Sequence, residues 1–167
     1  MTHFARALAL AALIAAPALA QSPFGGFKHD ETQPIEIAAN SLEVQEAQQI
    51  AIFRGEVVAG QGTLRLTADE LEVNYGDSDA STGQIKRLQA KGSVLIANGA
   101  ETAAGDYADY DVVKGQIRMT GAVTLTQGGN VVKGASLTID LNNGQGKVDG
   151  GGGRVKSIFA PASRDSN

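Results

Sequence analysis

Residues suited to catalysis are sparse in this chain. It has 167 residues, no cysteine and two histidines. His3 lies in an apolar amino terminus, and His29 lies in QSPFGGFKHDETQ, a stretch without periodicity. A nucleophile–base triad needs an imidazole or an equivalent base held against its nucleophile, and a zinc centre draws mostly on His and Cys. Neither has material here, so an enzyme and a cofactor are not expected. Asp106, Asp109 and Asp111 suggest calcium. They lack the Asp-x-Asp-x-Asp-Gly order of a calcium loop, however, and Asp109 and Asp111 take the outward parity of an alternating strand. Residues 150–153 are four glycines with no P-loop lysine or dinucleotide fingerprint beside them, and read as a turn.

The remaining candidate is an apolar face, and a repeat exposes it. Gly55, Gly92 and Gly121 are each followed two residues later by valine (Val57, Val94, Val123) and thirteen residues later by a very small residue (Ala68, Gly105, Gly134). Offsets sixteen and eighteen give Leu71, Ala108 and Leu137, then Val73, Tyr110 and Ile139. Ala39, Leu42 and Val44 keep the same spacing as a preceding half-unit, and the insertion GDSDASTG, residues 76–83, lengthens one unit. About four related units therefore follow one another.

The unit GASLTIDL alternates apolar and polar residues in the manner of a strand. ANSLEVQEAQQIAIF, with Asn40 three residues before Glu43, has the outline of a capped helix, but its equivalence to GASLTIDL favours strand. Apolar parity slips by one residue inside each unit: Leu64, Leu66 and Ala68 give way to Leu71 and Val73. A one-residue slip turns the apolar face outward unless the strand bends or bulges, and the small residue at offset thirteen marks the expected bend. The resulting inward set is Ile35, Ile37, Leu42, Val44, Val57, Leu64, Leu66, Leu71, Val73, Val94, Ile96, Val123, Leu125, Val132, Leu137 and Ile139. Ala103, Gly105 and Ala108 at equivalent positions predict an interior left underfilled unless a ligand occupies it. At about 4.8 Å per strand, seven or eight strands give a trough of roughly 35 Å.

Residues 1–20 read as a cleaved export signal, with His3 and Arg6, an apolar run broken by Pro17, and Ala18-Leu19-Ala20 before Gln21. The run is too short for a membrane span. Losing Arg6 leaves 13 basic against 18 acidic residues, a net charge near −5. No basic face for nucleic acid follows from that balance. Residues 21–33 are expected to form a flexible leader, 34–161 a single domain and 162–167 a disordered tail.

QPIEIAANSLEV, FRGEVVAGQGTLRLTADELEV, MTGAVTLTQGGNVVKGASLTIDL and GRVKSIFAP, in that order, resemble the OstA-like, LptA family of periplasmic lipopolysaccharide-transport proteins. The resemblance implies an all-β, open jelly-roll of stacked antiparallel strands whose interior holds acyl chains. It further implies head-to-tail self-association between an LptC-like inner-membrane protein and an LptD-like outer-membrane translocon, bridging the periplasm. By that resemblance Ile35 and Ile37 match the amino-terminal strand at the end that receives lipid, Val94 and Ile96 match the interior of the third strand group, and Val123 and Leu125 match the unit after Gly121. Two unblocked edges are expected to carry the contacts: Ile35, Glu36 and Ile37 at one end, and Val155, Lys156, Ser157, Ile158 and Phe159 at the other. The alternatives are a membrane-anchored LptC-like partner of the same fold and a structural β-solenoid that binds no lipid.

Overall fold

A computed structural model describes residues 27, 30, 32–76 and 84–161. The segments expected to be an export signal and a tail, most of the expected leader and nearly all of the insertion lie outside the described residues. Period-two alternation builds ten strands: β1 (Ile35–Ala38), β2 (Ser41–Gln45), β3 (Ile50–Gln61), β4 (Leu64–Asn74), β5 (Arg87–Asn98), β6 (Glu101–Asp111), β7 (Gln116–Gln127), β8 (Asn130–Asp140), β9 (Gln145–Asp149) and β10 (Lys156–Ile158). Neighbours pair antiparallel throughout, from β3 to β8 in sequence order. The segment around Asn40 and Glu43 is strand, with one 3₁₀ turn at Glu46–Gln48 after it. Pairing of Leu42 with Phe53 and of Val44 with Ala51 outweighs the local capping signal.

Each long strand breaks register once. Arg54 pairs with Glu70 and Val57 with Ala68, so Gly55 and Glu56 oppose Asp69 alone. The same interruption falls between Lys91 and Val94 and between Thr120 and Val123. The parity switch is therefore real, but the extra residue sits on the facing strand, at the repeat glycine and its successor, rather than at offset thirteen. Both bulge residues take a left-handed backbone, with φ of 79° and 48° at Gly55 and Glu56 and 85° and 49° at Gly121 and Ala122. Glycine is required at the first position: a Cβ on Gly121 would overlap the Asp106 side chain, and one on Gly92 would overlap Asp69. Asp106 thus packs over a neighbouring bulge.

These corners divide the sheet into two walls. One wall contains β2, the first halves of β3, β5 and β7, the second halves of β4, β6 and β8, and β9; the other contains β1, the complementary halves and β10. Each wall has eight strands, which at about 4.8 Å per step spans roughly 34 Å. The tetraglycine, where Gly153 N–H donates to Gly150 O at 2.9 Å, turns the same corner between β9 and β10.

Two-residue turns beginning at Gly62, Gly99 and Gly128, with φ between 55° and 59°, close the hairpins along the rim of the β1 wall. Glycine at the first central position suits such tight hairpins.

Candidate functional site

The interior between the walls is the main concave apolar feature, and strand parity positions its side chains. Val57, Leu64, Leu71, Val73, Val94, Ile96, Val123, Leu125, Val132, Leu137 and Ile139 are buried in one continuous cluster, with Ile35, Ile37 and Leu66 packed against it. Leu42 and Val44 share the inner face with Phe53 and Ala51 through their pairing, yet remain 55% and 53% exposed at the β2 end.

The middle of the interior is filled, contrary to the underfilling expected from Ala103, Gly105 and Ala108. Met119 pairs with Ala108, is fully buried, and its Cε lies 3.6 Å from where a Cβ would stand on Gly105. An unbranched thioether fills the space that small residues leave. A void beside Ile35, Leu64, Ile96 and Tyr110 measures about 30 Å³, well below the roughly 300 Å³ of a small-ligand pocket. At the β2 end, by contrast, an open groove of about 620 Å³ is lined by Ile37, Val44, Ala51, Phe53, Val73 and Tyr75 among others.

Several interior residues escaped the sequence reading: Leu88 and Ala90 on β5, Ile117 and Met119 on β7, and Ala51 and Phe53 on β3. They lie four and two residues before each repeat glycine, so extending the alignment backwards would have found them. The leader residue Phe27, expected to be flexible, is only 1% exposed and joins the same cluster.

Polar groups line the mouth, far from the corners. Gln61, Asn98 and Glu101 are buried at the ends of their strands. Gln61 Nε2 donates to Gln33 O at 3.1 Å, and Tyr110 Oη donates to Gln61 Oε1 at 3.1 Å, linking the leader, one wall and the other. Gln127 Nε2 donates to Glu101 Oε1.

The outer face carries charge. Arg54 bonds to Glu43 at 2.8 Å and to Glu70 at 2.9 Å, and its guanidinium holds both carboxyls below the ordinary range. Asp109 pairs with Arg87 at 2.7 Å and Asp111 with Lys114 at 2.9 Å, in keeping with their outward parity. Burial pushes the Tyr107 hydroxyl up.

β1 and β10 are opposite ends of one wall, and β10 covers only Lys156, Ser157 and Ile158, so Val155 and Phe159 flank it. The second wall ends in β2 and β9, two edges the sequence reading did not include.

An uncharacterized protein of Rhizobium meliloti is 33% identical over 165 residues, covering 94% of this chain and 89% of its own. The lipopolysaccharide export system protein LptH of Pseudomonas aeruginosa is 26% identical over 114 residues, covering 66% of this chain and 65% of its own. The crystal structure of LptH, the LptA homologous periplasmic component of the conserved lipopolysaccharide transport device of that organism, superimposes with a TM-score of 0.68 at 21% identity, covering 79% of this chain and 99% of that one. It shares the open all-β fold. Residues 36–145 match the model of the LptA/(LptD N-terminal domain) LPS transport proteins, and it is to this family that the chain belongs.

Proposed function

We propose that this protein shields the acyl chains of lipopolysaccharide between its two walls and carries them across the periplasm from the inner to the outer membrane. The observation that carries the reading is the unbroken apolar lining of both walls, which opens at the β2 end with Leu42 and Val44 unburied. Each CH₂ removed from water gains about 0.8 kcal/mol, so an unshielded multi-chain lipid is tens of kcal/mol uphill in an aqueous compartment. Nearly equal repeats spread this stabilisation along the path and leave no single deep trap.

End strands would supply the continuity. An even number of antiparallel strands gives the two ends of each wall opposite directions, so β10 of one copy meets β1 of the next antiparallel, and β9 meets β2 likewise. Strand addition of this kind would join copies to one another, to an LptC-like protein at one membrane and to an LptD-like protein at the other. Purification without detergent followed by mass spectrometry of extracted lipid tests the reading; lipopolysaccharide in the extract is expected. The filled centre around Met119 favours a second reading, a structural solenoid with a permanent core, and a lipid-free extract after incubation with lipopolysaccharide would select it.

A further inference from the structure

Phe27 belongs to no strand, yet it is among the largest fully buried side chains and shares a cluster with Leu71, Ile96 and Ile117. The covalent chain limits where it can be. Phe27 is three residues from Asp30, hence within roughly 11 Å of it. Asp30 O lies 3.9 Å from where a Cβ would stand on Gly62, in the β3–β4 turn at the mouth. The ring therefore reaches the interior from the rim beside the β3–β4 turn, near the β1 end of the stack.

We propose that Phe27 is a tethered self-ligand: it occupies acyl-chain space at the mouth and is displaced when lipid enters. This rests on the lipid-binding reading above and adds to it a competitor carried by the chain itself. Two further features support displacement. Beyond the open groove at the β2 end, the void beside Ile35 and Ile96 is only about 30 Å³, so an acyl chain passing this point needs a side chain to leave or the walls to part. The strand-borne interior side chains are held by sheet ladders, whereas the bonds among the described leader residues include Gln61 Nε2 donating to Gln33 O and an exposed turn in which Thr32 and Gln33 donate to the Asp30 carboxylate. Phe27 sits in no strand, so its departure breaks no ladder pairing.

The chain has no tryptophan, so Phe27→Trp introduces a single reporter. In the lipid-free protein its emission is expected to be blue-shifted and poorly quenched by acrylamide. Adding radiolabelled rough-type lipopolysaccharide should shift the emission to the red and raise quenching several-fold, while the label co-elutes with the protein. Phe27→Ala should load the label several-fold faster than wild type. Co-eluting label with a tryptophan that stays shielded, and wild-type loading by Phe27→Ala, would overturn the self-ligand and leave lipid binding intact. No co-elution with any of the three proteins would sink the lipid-binding reading and the self-ligand with it. Hydrogen exchange on the wild type guards against a misfolded variant: the amides of Thr32 and Gln33, which donate within the Asp30 turn, should exchange faster once lipid is bound, and unchanged protection in a lipid-loaded sample would also overturn the proposal.

Discussion

Tyr110 Oη donates to Gln61 Oε1 at 3.1 Å, joining facing walls through residues 49 positions apart. Both side chains lie far from the corners, so the bond closes the mouth like a latch. Tyr110→Phe keeps the ring and removes the bond. It should cost about 1 kcal/mol of stability, and roughly 2–4 °C in melting temperature for a chain of this size. Thermal unfolding checks the first effect. Lipid loading should accelerate, and an unaltered loading rate would mean that the walls do not part at this point.

Strand parity predicts opposite outcomes for the same new charge. Leu66 faces inward between Ala59 and Ile96, whereas Thr138 lies on the outer face between Arg118 and Lys147. Leu66→Glu places a carboxylate in the apolar interior, a burial costing several kcal/mol. Thr138→Glu gains two cationic neighbours across the strands. In a strain depending on each variant, the first should fail to support growth and the second should support it. Equal growth at equal protein levels would contradict the trough.

The corners can be tested by a reciprocal pair. Ala122 holds a φ of 49° that disfavours any side chain, so Ala122→Gly should stabilise by up to about 1 kcal/mol. Gly121→Ala should destabilise by at least about 1–2 kcal/mol, because strain at a φ of 85° is joined by overlap with Asp106. Urea unfolding midpoints should move in opposite directions.

The repeat made the strands, the corners and most of the interior legible, because spacing survives where residue identity varies. Val57, Val94 and Val123 could be placed inward from it alone. What it concealed depends on contacts between distant residues. Met119 fills the space over Gly105 only because β6 and β7 are neighbours, and the location of the bulge at Gly121 rather than at Gly134 depends on which partner strand carries the extra residue. Phe27 lies outside the repeat, in a stretch whose composition resembles a linker, so no periodic signal could assign it to the interior. Asn40 and Glu43 mislead locally, and pairing with β3 overrides them.

Each end of the stack presents two edges, which makes its assembly separable by mutation. Proline removes a backbone donor, and N–H groups alternate between the two sides of a strand, so of Lys156 and Ser157 one points towards β8 and the other towards the free edge. The two single proline variants therefore sample both sides of β10. Each should weaken head-to-tail association without abolishing it, because β9 still offers an edge to the β2 of the next copy. Adding Lys147→Pro in β9 to either variant should reduce end-to-end crosslinking to background, while interior residues such as Val94 and Ile96 keep their ladders and lipid still co-elutes with the monomer. Crosslinks that persist undiminished in the double variant would show that copies dock through side-chain surfaces instead of added strands.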